Sequence, residues 1–279
     1  MIFYAVLAPV ALFMLLWALY FKPLAGIALA TQAAAKGMAA WVARTGLGKR
    51  AQSSAAWTRA RTYSRIVIVL MLGVAAAIGA GVLFTEIAER VRVASSAVNR
   101  FDQAVWSFLA TERFPWLTSM FDAATLAGGW VGMVSLVLVT AAVLVKRNDR
   151  SSAVFVVGTA AGGELLNTAL KAYFARARPD LSVALASANW YSFPSGHAMS
   201  SFIVLGAISY VVLRQPWRWK VKSAFLAGAT SFVLLVGLSR VYLGVHWASD
   251  IAGGWTAATM WLAAVTVAFE LALRRRKRG

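Results

Sequence analysis

The sequence predicts an all-α, polytopic membrane helical bundle, and three observations lead there. Hydrophobic residues make up 60% of the 279-residue chain, with a mean hydropathy of +0.68. Several apolar runs are long enough to cross the roughly 30 Å hydrocarbon core of a bilayer as helices. The basic residues gather between alternate runs instead of being scattered. The formal net charge of +18 is therefore explained by cytoplasmic loops enriched in Lys and Arg, and no specific nucleic-acid partner is needed to account for it. There is no cysteine, which excludes disulfides and thiolate metal sites.

Residues 2–20 are apolar, with no basic residue before them. A cleavable signal needs a basic leading region and a small-residue cleavage site. The reading is therefore a retained N-terminal hydrophobic helix, with a re-entrant or interfacial segment as the alternative. Residues 22–65 hold Lys22, Lys36, Arg44, Lys49, Arg50, Arg59, Arg61 and Arg65 and no acid. Alanine between them favours helix, and Trp41 and Trp57 suit a headgroup layer. Two readings stand equally here: interfacial helices attracted to anionic lipid, or an extended basic loop.

A span follows at 66–85. Residues 86–126 carry balanced charge. The spacing of Phe101, Val105, Phe108 and Leu109 predicts an amphipathic helix on the outer interface, interrupted at Pro115. Further spans are expected near 129–145, 152–171, 197–213, 223–239 and 250–273. If each crosses once, the basic linkers 146–150 and 214–222, the 22–65 block and the tail from Arg274 share one side. The positive-inside rule makes that side cytoplasmic.

Three polar clusters fall on the opposite side. Lys171 precedes Arg176, Arg178 and Pro179. Phe193-Pro194-Ser195-Gly196-His197 opens the apolar run that begins at Ala198. Ser195 reads as a helix N-cap, leaving the amides of Gly196 and His197 as free first-turn donors, an arrangement suited to phosphate. The third cluster runs from Ser239-Arg240 to His246 and Asp250. On a helix, residues four apart share a face. A carboxylate there can accept the Nδ1–H of His246 and leave Nε2 free as a nucleophile.

Lys171 to Arg178-Pro179, Pro194 to His197, and Ser239-Arg240 to His246 to Asp250 resemble, in order and spacing, the three motifs of the type-2 phosphatidic acid phosphatase (PAP2) superfamily. The resemblance covers roughly residues 65–272 and implies the six-helix core of the family's membrane branch. The expected organisation is residues 1–64 as the N-terminal hydrophobic helix and basic cytoplasmic segment, 65–273 as the six-helix lipid phosphatase core, and 274–279 as a basic tail.

The resemblance also implies roles. His246 is the nucleophile, forming a phosphohistidine; His197 is the acid that protonates the leaving oxygen and then activates water; Asp250 orients His246. Lys171, Arg178, Ser195, Gly196 and Arg240 bind the phosphate, and no cofactor is expected. No metal is expected either, because the cations around the two histidines would repel one. Arg176 occupies a variable position in the first motif and is expected at the rim, touching the substrate headgroup. Glu164 has no family role; a buried hydrogen bond, to Asn167 or a neighbouring helix, is expected for it. Taken singly, Lys171 or Arg178 is more often an ordinary helix-end charge reaching for headgroups.

The implied activity is hydrolysis of a lipid phosphate, with the substrate and membrane lipids as partners. The site would face the periplasm or outside of a bacterial plasma membrane. The short loop before Pro194 and the 86–126 segment resemble those of undecaprenyl-diphosphate phosphatase-like members. A lipid phosphotransferase would use the same residues. A non-enzymatic anion-binding membrane protein would have no need of the acid, nucleophile and orienting carboxylate together.

Overall fold

The structure is a computed structural model describing residues 55–276, with side chains for residues 71–275. The expected N-terminal helix at 2–20, residues 22–54 of the basic segment and the end of the tail lie outside the described residues. The chain divides into two compact units, Met1–Ile68 and Val69–Gly279.

Among the described residues all regular structure is helical: α1 Ala55–Arg92, α2 Ala97–Thr111, α3 Pro115–Ala127, α4 Trp130–Lys146, α5 Arg150–Phe174, α6 Gly196–Arg214, α7 Trp219–Tyr242 and α8 Ala248–Arg276, with one 3-10 turn at Leu181–Val183. Five helices are long and apolar enough to cross a membrane. The sixth expected span, near 129–145, is the second arm of a bent pair: α3 and α4 meet at 49° across a short break at Gly128-Gly129.

The 86–126 stretch departs from expectation. The first span continues to Arg92. Pro115 then starts α3 at a position where its missing N–H costs nothing, so it opens a helix and does not interrupt one. In α2, Val105 and Leu109 pack against Ala198, Val241 and Ile251, whereas Phe101 and Phe108 are exposed. The buried side of α2 is rotated toward Asp102, which is only 1% exposed. The reason is electrostatic: Asp102 is drawn inward by an arginine and a helix N-terminus, described below.

Helix α6 is the central post. Its apolar residues run all the way round, the pattern of a helix buried on every side, and it packs on α4, α5, α7 and α8. Val204, Ala207, Ile208 and Val211 meet Val137, Phe155 and Val156 in one cluster. Met199 and Ile203 meet Phe84, Ala257 and Ala258 in another. Small residues let the backbones approach closely where no hydrophobic effect operates between helices in lipid. Large apolar side chains such as Leu72, Ile78, Val139, Val154 and Leu165 face outward, as a lipid-facing surface requires.

Packing and turns together place the motifs at one end of the bundle. Helix α5 ends at Ala175 in the left-handed region (φ 45°), turning the chain back toward the bundle at Arg176. Gly244, at φ 77°, makes the turn from α7 into α8, a backbone conformation that glycine adopts without steric cost. Gly253 lies one turn beyond Asp250, where an added Cβ would sit 2.3 Å from the Phe193 ring. Phe193, fully buried, thereby seats the Pro194–His197 segment against α8, and the Ser195 amide donates to the Asp250 carbonyl at 3.0 Å.

Candidate active site

Four helix ends converge: the last turn of α5 with Lys171, the first of α6 with Ser195 to His197, the last of α7 with Arg240, and the first of α8 with Asp250. His246 lies in the connection between α7 and α8. Lys171, Ser195, Arg240, His246 and Asp250 are all buried. Arg240, His246, Lys171 and Arg178 are all within electrostatic reach of His197.

The Nδ1 of His246 lies 3.1 Å from Asp250 Oδ2. The same oxygen accepts from Ser192 Oγ at 2.7 Å and from the Trp247 amide at 2.9 Å. The Nε2 lies 3.1 Å from Arg178 Nη1. A guanidinium has no acceptor, so Nε2 is the accepting nitrogen and the ring proton sits on Nδ1. Burial pushes the imidazole down to about 4, against the opposing pull of Asp250. His246 is therefore a neutral imidazole at neutral pH, with its Nε2 lone pair directed at a cation.

Arg178 is further held by the carbonyls of Asn189, Trp190, Tyr191 and Val245. Burial lowers its pKa from the ordinary value, and Asp250 opposes that shift. Lys171 Nζ donates to the Tyr191 carbonyl at 2.8 Å. One short loop thus orients both cations of the first motif. Arg240 Nη1 donates to Thr125 Oγ1 of α3, while its Nε and the Ser195 Oγ, both buried, make no hydrogen bond among the described residues. Buried polar atoms are rarely left so.

Arg176 does not sit at the rim. Its side chain is 11% exposed and bridges Asp250 Oδ1 at 2.6 Å and Asp102 Oδ2 at 2.8 Å. Two opposed buried carboxylates attract it inward more strongly than a headgroup layer would. Glu164 is exposed, not buried, and its Oε2 accepts from Ser200 Oγ of α6 at 2.9 Å; its partner is on the neighbouring helix and is not Asn167.

The chain is 33% identical over 166 residues to a protein named phosphatidylglycerophosphatase B of Bacillus subtilis (strain 168), an alignment spanning 58% of this chain and 80% of that relative. The chain belongs to the PAP2 superfamily. Residues 152–274 match the PAP2 superfamily directly, and they include all three polar clusters. A protein named undecaprenyl-diphosphatase of Sulfolobus acidocaldarius is 36% identical over 80 residues, covering 29% of this chain and 34% of that one. The fold is similar to the crystal structure described as the first transmembrane PAP2 type phosphatidylglycerolphosphate phosphatase from Bacillus subtilis, with a TM-score of 0.65, 28% identity, and coverage of 70% of this chain and 96% of that one. The chain is thus an integral membrane protein of a family of phosphatases that hydrolyse phosphate esters.

The PAP2 site also contains residues the sequence reading missed. Asn167 lies one turn before Lys171 on α5, buried, and its Oδ1 has no hydrogen-bond partner among the described residues; a Cβ on Gly196 would sit 3.0 Å from its Nδ2. Thr125 and Gly129 bring the α3–α4 break to the site: Thr125 binds Arg240, and His197 Nε2 would lie 3.3 Å from a Cβ on Gly129. The Gly128-Gly129 pair inside an apolar run was the available signal for this break.

Proposed function

We propose that this chain hydrolyses a lipid phosphate at the extracytoplasmic face of a plasma membrane through a phosphohistidine. The observation that carries this reading is the pairing of His246 with Asp250 at Nδ1 and with the Arg178 cation at Nε2. A phosphate oxygen entering beside Arg178 would take up the Nη1 hydrogen and free Nε2 to attack phosphorus. The N–P bond forms as the P–O bond to the lipid breaks, and His197 gives its proton to the departing oxygen. His197 then takes a proton from water, whose oxygen attacks phosphorus and breaks the N–P bond.

Phosphoryl transfer needs positioning and charge stabilisation above all. Lys171, Arg178 and Arg240 supply positive charge, and Ser195 Oγ with the Gly196 and His197 amides supplies neutral donors. In this reading the basic linkers at the far ends of the helices face the cytoplasm, which puts the site outside. The names of the relatives suggest a phosphatidylglycerophosphate or polyprenyl diphosphate substrate.

The test is phosphate release by the purified protein from phosphatidylglycerophosphate, phosphatidic acid and undecaprenyl diphosphate, with rapid quenching of ³²P-labelled substrate. An alkali-stable, acid-labile label on the wild type that is absent from His246→Ala supports the reading. Release from every lipid without such a label, or undiminished release by His246→Ala, overturns it.

A further inference from the structure

The site contains a second layer of charge that the motif chemistry does not use. Asp102 of α2 is buried, and no local sequence pattern connects it to the histidines. Its Oδ1 accepts the Ser249 amide at 2.9 Å, and its Oδ2 accepts the Ser249 hydroxyl. It therefore binds the first turn of α8, immediately before Asp250. Arg176 completes the layer: Nη1 donates to Asp250 Oδ1 and Ser249 Oγ, and Nη2 to Asp102 Oδ2 and Asn99 Oδ1, all within 2.6–2.8 Å. Asp250 thus divides its work, with Oδ1 held by Arg176 and Oδ2 serving His246, Ser192 and the Trp247 amide.

The charge balance has a consequence. Arg176 with Asp250 alone would be neutral and would leave little negative charge for an imidazolium. The second carboxylate gives the trio Asp102, Arg176 and Asp250 a net charge of −1. That charge becomes fully compensated when His246 turns positive on attacking phosphorus. A buried pair is stabilising only where its geometry and its further hydrogen bonds are complete, and here both carboxylates have theirs.

We infer that Asp102 and Arg176 are positioning residues for the nucleophile. Together they fix the Asp250 carboxylate plane through Oδ1 and leave one negative charge to stabilise the phosphorylated His246. This rests on His246 being the nucleophile. It adds that α2, which lies outside the matched family region, is part of the catalytic architecture.

A cavity of about 310 Å³ lined by Asn99, Asp102, Gln103, Arg176 and Trp247 opens onto the pair, and it makes chemical rescue practicable. With kcat/KM as readout, Arg176→Ala should lose about 10²-fold, on the scale of a lost buried charged contact of about 3 kcal/mol. Millimolar guanidinium should restore at least a tenth of the wild-type value to it, and nothing to His246→Ala. Asp102→Asn, which keeps shape and removes charge, is the second variant and should lose about 10-fold or more.

A purely structural role would not give opposite signs in the second readout, ¹⁵N NMR titration of His246 in a His197→Gln background. The charged groups facing His246 there are Asp250, Arg178 and Lys171. Asp102→Asn should move the titration down and Arg176→Gln should move it up. Shifts of the same sign, or an unchanged kcat/KM for Asp102→Asn, overturn the inference. The titration does not depend on turnover, so it separates a failure of this charge arrangement from a failure of the nucleophile assignment, which the phosphohistidine label tests.

Discussion

Arg178 Nη1 lies 3.1 Å from His246 Nε2, the nitrogen assigned to attack phosphorus. That contact and the Asp250 contact on the other side of the ring leave one tautomer, with the proton on Nδ1. Burial holds the imidazole near 4. The group is a base whose value is depressed from the ordinary His range of about 6.5, so it stays neutral as pH falls through 6.5 and takes up its proton only near 4. The chain has two histidines, so ¹⁵N NMR of His197→Gln in detergent observes His246 alone. The expected spectrum shows the Nδ1–H tautomer, unchanged from pH 8 to 5 and protonating below that. A midpoint near 6.5, or the opposite tautomer, contradicts the assignment.

Arg178 is held by four carbonyls as well as by His246, so its plane is set before substrate arrives. Lysine cannot reproduce a planar fork. Arg178→Lys should reduce turnover and weaken vanadate inhibition together, each by about 10²-fold, the scale of a lost transition-state donor. Arg218→Ala should change neither: Arg218 is the N-cap at the far end of α7, about 33 Å from Arg240 at 1.5 Å per residue. Equal behaviour of the two variants would mean that no phosphate cradle exists at Arg178.

The three motif clusters were legible because each depends on local spacing. His246 and Asp250 are four apart and do meet, although His246 lies in the connection just before α8 and not on the helix, and Ser195 to His197 open a helix whose apolar run is visible in the sequence. The residues that surround them were not legible. Asp102 and Thr125 reach the site from α2 and α3 by tertiary packing, and no periodicity records a partner that distant. Arg176 was misplaced for the same reason, since its two carboxylates lie on α2 and α8. The bundle itself followed from hydropathy, except at α3 and α4, where a 49° bend divides the apolar stretch into two helices.

Packing around the second motif gives a separate test. An added Cβ at Gly253 would meet the Phe193 ring at 2.3 Å, and Phe193 is fully buried. Overpacking of this kind costs about 1–3 kcal/mol. Gly253→Ala should lower the thermal unfolding midpoint in detergent and reduce activity through displacement of Ser195. Gly253→Ala with Phe193→Leu should recover part of both. An unchanged midpoint for the single variant would show that the ring is free to move.

Orientation is open to a direct label because the chain has no cysteine. Ser187 is exposed in the loop between Arg178 and Phe193, and Arg147 is exposed in the basic α4–α5 linker. In intact cells, Ser187→Cys should react with an impermeant maleimide and Arg147→Cys should react only after permeabilisation. The reverse pattern would place the site on the cytoplasmic face and contradict the charge argument.

The role of His197 can be isolated from that of His246 by changing the leaving group. An alkoxide leaving a lipid phosphate is strongly basic and needs a proton as the P–O bond breaks; a nitrophenolate leaves without one. General acid catalysis contributes about 10²–10⁴-fold, and that factor should appear only for the alkyl ester. His197→Ala should therefore reduce kcat/KM for a short-chain phosphatidic acid by about 10²-fold or more, and for nitrophenyl phosphate by far less. The choice of kcat/KM matters, because it reports only steps up to release of the leaving group and excludes the later water attack, in which His197 also takes part. His246→Ala should depress both substrates alike, since each needs the nucleophile. Equal losses for the two substrates in His197→Ala would mean that His197 holds the phosphate and does not protonate the leaving oxygen.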